Sequence, residues 1–184
     1  LIKYALCRAE TTPPENKIEK ELKEVILDNL DNTKNASFST YSVIGELLPE
    51  LNWLDSEWVK EIITKVFPKY TNEKELWFFV SAWDSYIFHN RYIKDLHDLL
   101  FPYYISAIDH LSLGFVTRRD LINNFAVHLV LEYLSEEYEP DFMKNIQVPI
   151  TRYFMKTKPE EWATGAWACW KIIQDNPDKL NEWW

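Results

Sequence analysis

The chain has 184 residues, a formal net charge of −9 and a hydrophobic fraction of 47% that includes nine tryptophans. This composition excludes a disordered chain, and the length suffices to bury a core without disulfides or metals. The acidic balance argues against a duplex-binding domain, and the apolar runs are too short to span a bilayer, so we expect neither nucleic acid nor membrane as a partner.

The numbers of glycines and cysteines further restrict the fold class and the cellular location that we expect. Three glycines are too few for the turns of an all-β protein of this size, which favours helices joined by short links containing Pro and Asn. Cys7 and Cys169 are far apart and do not make a disulfide framework. We therefore expect two free thiols and a cytoplasmic location.

Helical periodicity and helix-capping residues predict the first elements. An amphipathic stripe follows Pro13 and Pro14, a proline pair typical of a first helical turn. A second helix is predicted to start near Ser37 or Ser39 and to end before Pro49. A third is predicted to start with Asp55 as its cap and to end before Pro68.

Residues 75–88 are the most apolar helical stretch, and we predict that the rest of the chain packs around them. Their polar stripe is narrow, and a helix that is apolar nearly all round must be covered on several sides. Thr71, followed by Glu73 and Glu75, is the predicted cap of this inner helix.

The second half of the chain continues the helical pattern. A helix is predicted after Asn90, with a kink or break at Pro102, and another is predicted to begin at Thr117. The acidic connection after Ser135 is followed by a predicted helix over 141–156 and by one that begins at Pro159.

These elements predict an all-α fold of about eight or nine helices. A loosely recurring helix pair, ending in a Trp-rich helix, points to stacked helical hairpins of the HEAT or TPR kind, an α-solenoid. We expect a single domain over 1–184, with 1–135 and 136–184 as subregions. Since the chain begins at Leu1 and stops at Trp184, we expect a piece of a larger protein.

No catalytic, cofactor-binding or metal-binding residue is predicted. His128 and Glu132 share a helix face, but a di-iron bundle needs Glu-x-x-His on two helices, and that motif does not occur. A packed or half-exposed histidine is therefore the expectation at this position. Gly-rich phosphate loops and hydrolase nucleophile elbows do not occur either.

The tryptophans invite two interpretations, stacking platforms for ligands or parts of the core. Most occur at core spacing, so we predict that they form the inner layer; the set is Trp53, Trp58, Trp77, Trp83, Trp162, Trp167 and Trp170. Trp183 and Trp184 differ because they lie at the chain end, and we expect them to dock on a partner or to continue into missing sequence. Arg118 and Arg119, at a predicted helix start, are a candidate anion-binding pair.

The Trp-rich blocks resemble the helical-repeat regions found C-terminal in large bacterial defence proteins, which carry a sirtuin-like or STAND-type NTPase effector at their other end. The resemblance covers about 60–184, and its motifs are Asp55-Ser56-Glu57-Trp58-Val59, Val66-Phe67-Pro68, Leu76-Trp77-Phe78 and Glu160-Glu161-Trp162. It implies a recognition or scaffold module without catalysis. The catalytic residues of that family have no counterpart here.

The leading hypothesis is therefore a non-catalytic interaction, sensor or scaffold module of a larger bacterial protein. Its partner would be another protein or the remainder of its own chain. One alternative is a fragment of an α/α-toroid carbohydrate-active enzyme, which needs two carboxylates converging among tryptophans. The other alternative is a metal-binding helical bundle.

Overall fold

The structure, a computed structural model, describes residues 18–31, 36–111, 119–135 and 148–175, and within them it is helical without strands. The helices are α1 Lys20–Asn29, α2 Phe38–Glu46, α3 Leu48–Leu54, α4 Ser56–Val66, α5 Glu73–His89, α6 His97–Leu111, α7 Arg119–Ser135, α8 Pro149–Lys156 and α9 Pro159–Asp175, with a 3-10 turn at Lys94–Leu96. The predicted all-α class is confirmed, whereas the solenoid arrangement stays a prediction. Within the described ranges, each helix lacks the length or the apolarity needed to cross a membrane.

The chain divides into two compact units, Leu1–Asn90 and Arg91–Trp184. The boundary follows α5, where the Asn90 side-chain amide donates to the carbonyl oxygens of Glu46 (3.0 Å) and Tyr86 (3.1 Å). These bonds fix the end of α5 against the end of α2. The subregions considered from the sequence, 1–135 and 136–184, place the division elsewhere, at an acidic connection that lies outside the described residues.

Two predicted helix caps in the first unit are confirmed. The Ser37 hydroxyl accepts a bond from the backbone N–H of Thr40 (3.2 Å) at the start of α2. The Asp55 carboxylate accepts from the N–H of Trp58 (3.0 Å) at the start of α4. Each side chain satisfies a backbone donor that has no partner within its own helix, which is why helices begin at these positions.

The cap of α5 lies one residue later than predicted. Asn72, and not Thr71, accepts the bond from the backbone N–H of Glu75 (3.0 Å). Thr71 instead donates to the Glu75 carboxylate from its N–H (2.7 Å) and its hydroxyl (3.0 Å). This reciprocal arrangement works like a capping box, and the bonds from Thr71 hold the pKa of the Glu75 carboxyl below its usual value.

Helix α5 is the inner helix of the first unit, as predicted. It buries eight side chains, namely Leu76, Phe78, Phe79, Val80, Ala82, Trp83, Tyr86 and Ile87. Helix α2 packs closely against it, with the Ser42 hydroxyl donating to the Ser81 carbonyl (3.3 Å). The closest approach is at Gly45, where a Cβ atom would lie 2.8 Å from the carbonyl carbon of Ala82. Glycine permits this crossing because it has no side chain.

Proline positions explain the main errors in the predicted helix boundaries. Pro49 and Pro149 lie in the first turns of α3 and α8, where a missing N–H costs nothing. The prediction had used Pro49 only as a stop, which missed α3, and had placed Pro149 inside a longer helix. Pro102 lies inside α6, which continues through it, so of the predicted kink or break the break is wrong and the kink stays a prediction.

In the second unit, an ion pair links α6 to α8. The Arg152 guanidinium donates to both carboxylate oxygens of Asp109, at 3.0 Å from Nε and 2.5 Å from Nη2. Lys156 adds a second cation at 3.3 Å. The bonds from Arg152 lower the pKa of the Asp109 carboxyl from its ordinary value of 3.8.

This ion pair predicts an acid-sensitive contribution to stability. Because the pKa of Asp109 is lower in the folded protein, the contribution is complete above 3.8 and is lost as the pH falls through the lowered value. The Asp109 side chain is 35% exposed, so solvent screening limits the contribution to about 1 kcal/mol. We expect Asp109→Asn to cost that free energy of unfolding near neutral pH and almost none at about pH 2.

Denaturant unfolding at both pH values provides the measurement. Glu61→Gln, which neutralises an exposed carboxylate on α4, is the control and should change stability little at either pH. If Asp109→Asn lowered the free energy of unfolding equally at both pH values, the ion pair of Asp109 would not be the source of acid sensitivity.

Candidate functional site

Four polar side chains of the second unit form a buried group between α6 and α7, which we call the polar cluster. Tyr104 Oη lies 2.9 Å from Nδ1 of His128, and Nε2 of His97 lies 3.9 Å from Oε1 of Glu132. The pairing of 97 with 132 and of 104 with 128 shows that the two helices run antiparallel. His128 is 1% exposed and Glu132 is fully buried.

The polar cluster is enclosed rather than open to a substrate. The rings of Tyr92 and Phe101 lie 5.8 and 5.5 Å from the ring of His97. Since all four members of the cluster are buried, a ligand from solvent would not reach the Glu132 carboxylate. The cluster therefore acts as a polar contact inside the core that links α6 to α7.

His128 is packed, at 1% exposure, which is one of the two states expected for it. The local i, i+4 spacing identified His128 and Glu132 as neighbours, but their partners on α6 could not be found from spacing within one helix. Among the described residues, no group of three or more His, Cys, Asp or Glu side chains could hold a metal ion. The metal-binding alternative thus has no donor set in this part of the chain.

A different feature of the second unit is open to solvent. Trp167 and Trp170 of α9 are each 56% exposed and Trp162 is 37% exposed. Spacings of five and three residues place the three indoles on one side of the helix, over about 12 Å of its length. Ala163 and Ala166 between them are exposed as well. We call this surface, made by the three tryptophans and two alanines, the aromatic face.

The opposite side of α9 is covered. Gly165 is buried there, and a Cβ atom added to it would lie 3.7 Å from Ala126 Cβ and 3.9 Å from Val130 Cγ2, both on α7. Among the side chains of α9 that the structure describes, the buried position is Gly165, and the tryptophans and alanines of the aromatic face are exposed. An apolar helix side that remains in water is a candidate contact surface.

Neighbouring groups contact two of the three indoles of the aromatic face, those of Trp162 and Trp167. Trp162 Nε1 donates to the Thr157 hydroxyl (3.0 Å), and its ring meets that of Phe154 edge to face at 5.5 Å. The Lys171 ammonium lies 6.0 Å from the ring centre of Trp167. Side chains held in this way lose less conformational entropy when a partner binds.

These exposures correct the prediction that the tryptophans form the inner layer. Trp58 and Trp83 are buried as predicted, but the other five described members of that set are exposed, namely Trp53, Trp77, Trp162, Trp167 and Trp170. Helical spacing shows which side chains share a face, but it does not show whether another element covers that face. The signal for the aromatic face was therefore present in the sequence and was assigned to the core.

The structure does not bring together the site residues predicted from the sequence. Arg118, Trp183 and Trp184 lie outside the described residues. Arg119 is the first residue of α7, and its side chain also lies outside them. The proposals of an anion-binding arginine pair and of a docking chain end stay predictions.

Comparison of the chain with protein-family models, with curated proteins and with solved structures found no match. The resemblance to helical repeats of bacterial defence proteins therefore stays a prediction.

Proposed function

We propose that the chain is a non-catalytic protein-interaction or scaffold module of a larger bacterial protein, and that the aromatic face is its contact surface. The observation that carries this proposal is the exposure of Trp162, Trp167 and Trp170 on one helix side. At these exposures, the three indoles present roughly 200–400 Å² of aromatic surface to water. Patches of this size are often functional, and tryptophan is enriched among the residues that dominate binding energy.

The shape of the aromatic face favours a protein over a sugar or another small molecule. Small-molecule sites are concave pockets, whereas the side of a single helix is convex. The carbohydrate-active alternative also needs two reachable carboxylates among tryptophans, and the buried Glu132 lies beside His97 inside the polar cluster. A partner that lays its own apolar surface over the indoles fits the convex shape.

The proposal also includes the biological role and the cellular location of the module. The resemblance to helical repeats of bacterial defence proteins favours a recognition or scaffold role beside an effector carried elsewhere, in the cytoplasm and with antiphage defence as the setting. The partner is then another protein or the remainder of the same polypeptide. The net charge of −9 favours neither nucleic acid nor an anionic membrane.

Site-specific photo-crosslinking tests the proposal. Ala166 is exposed between the three indoles, so a photo-reactive amino acid there replaces a small side chain and leaves each tryptophan in place. In cells that natively express the whole protein, we expect one discrete crosslinked protein product from this position. Ser39, exposed on α2 of the first unit, is the control position and should give none.

Either of two outcomes would overturn the proposal. One is the absence of a crosslink from Ala166 when the protein is folded and expressed. The other is an identical set of products from Ala166 and Ser39, which would indicate random collisions and not a specific surface.

A further inference from the structure

We propose that the first unit binds a small zwitterion of the amino-acid kind, with an ammonium and a carboxylate on one apolar body, in a cleft between α1, α2 and α4. This inference goes beyond the proposed function and does not depend on it, because the cleft lies in the first unit and the aromatic face in the second. The cleft has a volume of about 500 Å³, within the range of small-molecule sites. Its apolar lining is Leu27, Leu30 and Pro68.

Two contacts hold the helices around the cleft in place. The Tyr41 hydroxyl of α2 donates to the carbonyl oxygen of Leu30 at the end of α1 (2.9 Å). The Lys23 ammonium of α1 donates to the Asp55 carboxylate at the start of α4 (2.5 Å). Tyr41 and Leu30 are 1% and 3% exposed, so they form the closed bottom of the cleft. A site that is already formed loses little conformational entropy when a ligand binds.

The α1 side of the cleft favours a cation. Asp28 lies in the last turn of α1, Asp31 follows the helix end, and both line the cleft. The carboxyl end of a helix already carries partial negative charge, and the last turn of α1 has no basic residue. Burial, and then the charge of Asp31, raise the pKa of Tyr41 to about 12, so the bottom of the cleft is a neutral phenol that senses this carboxylate. An ammonium is therefore the group that this side attracts.

The α4 side of the cleft favours an anion. Thr64 and Lys65 line the cleft from the last turn of α4. Within the described part of the chain, the Lys65 ammonium forms no ion pair or hydrogen bond, so Asp28 and Asp31 do not neutralise it. A ligand carboxylate can accept from the Lys65 ammonium and the Thr64 hydroxyl. One molecule that carries both charges therefore matches both sides, and its apolar body lies on the apolar lining.

The test titrates the whole 184-residue chain with three ligands that share a phenylethyl body. L-phenylalanine carries both charges, 2-phenylethylammonium lacks the carboxylate, and 3-phenylpropionate lacks the ammonium. Calorimetry should show saturable binding of L-phenylalanine, at least about tenfold tighter than that of either singly charged ligand, because each ligand charge makes its own charged hydrogen bond. Absence of L-phenylalanine binding, or equal binding of the three ligands, would overturn the proposal.

Two variants and their matched controls locate the ligand. Lys65→Gln should weaken L-phenylalanine binding about tenfold and leave 2-phenylethylammonium binding unchanged, because it removes a partner of the carboxylate alone. Asp31→Asn should weaken the binding of both ligands about tenfold, because both carry the ammonium. Lys60→Gln and Glu61→Gln make the same charge changes at exposed positions of α4 outside the cleft lining, and both should bind like the parent protein.

Each outcome for the variants decides the location of the site. Parental affinity for L-phenylalanine in Lys65→Gln and Asp31→Asn would show that the ligand does not bind in the cleft. Equal losses in the control variants would show that net charge, and not the cleft, governs binding. Retained 2-phenylethylammonium binding by Lys65→Gln, with a melting curve that overlays that of the parent protein, separates a lost contact from lost folding. The Ala166 crosslink concerns the second unit, so a failure here would leave the proposed function standing.

Discussion

Gly45→Ala should lower the free energy of unfolding by about 3 kcal/mol, although alanine is the better helix former. The new Cβ atom would lie 2.8 Å from the carbonyl carbon and 2.9 Å from the Cα of Ala82. These are backbone atoms of α5, so the clash is relieved only if α2 and α5 move apart. Helix propensity alone would instead stabilise the variant by roughly 0.5–1 kcal/mol, so the two effects have opposite signs.

Gly165→Ala is the matched control. Gly165 also lies inside a buried helix side, but its added Cβ would meet Ala126 and Val130 at ordinary contact distances of 3.7 and 3.9 Å. We expect a change between zero and about 1 kcal/mol of stabilisation. Denaturant unfolding of both variants checks the pair, and a Gly45→Ala protein as stable as Gly165→Ala would contradict the close crossing of α2 and α5.

Trp83→Ala should cost about 3–5 kcal/mol of stability, because it empties the centre of the first unit. The indole is 4% exposed and lies against three rings, those of Phe67 at 5.7 Å, Tyr86 at 5.8 Å and Phe79 at 6.1 Å. Removing it leaves a cavity that these rigid rings cannot fill without moving α5.

Trp53→Ala is the control, because it removes an exposed tryptophan where Trp83→Ala removes a buried one. Trp53 is 56% exposed on α3, so its replacement should change stability by about 0.5 kcal/mol or less. The melting temperatures of the two variants provide the comparison. A Trp83→Ala protein that melts with the parent would show that α5 is not the inner helix.

Local sequence signals predicted much of the first unit. The apolar periodicity of residues 75–88 identified the inner helix, and Ser37 and Asp55 marked helix starts because their side chains bond backbone groups three residues away. Helix α3, with seven residues, is too short to show a clear period and was missed. The need for glycine at position 45 arises from contact with Ala82, on another helix, and no local pattern encodes it.

The candidate site was less predictable because, like the contact at Gly45, it depends on how separate helices pack together. The spacing of Trp162, Trp167 and Trp170 shows that they share a helix side, but only the packing of α9 on α7 through Gly165 decides which side stays open. Likewise, His128 and Glu132 are neighbours by helical geometry, but the enclosure of Glu132 depends on α6. Burial is a property of tertiary packing, which the period of a single helix does not contain.

We propose that the aromatic face of α9 binds the partner of this module. The most direct test measures the affinity of the whole protein for the partner captured at Ala166, in the parent protein, in Trp167→Gln/Trp170→Gln and in Trp53→Gln. We predict that the double variant binds at least about thirtyfold more weakly and that Trp53→Gln binds like the parent. A double variant with parental affinity, or an equal loss in Trp53→Gln, would contradict the claim.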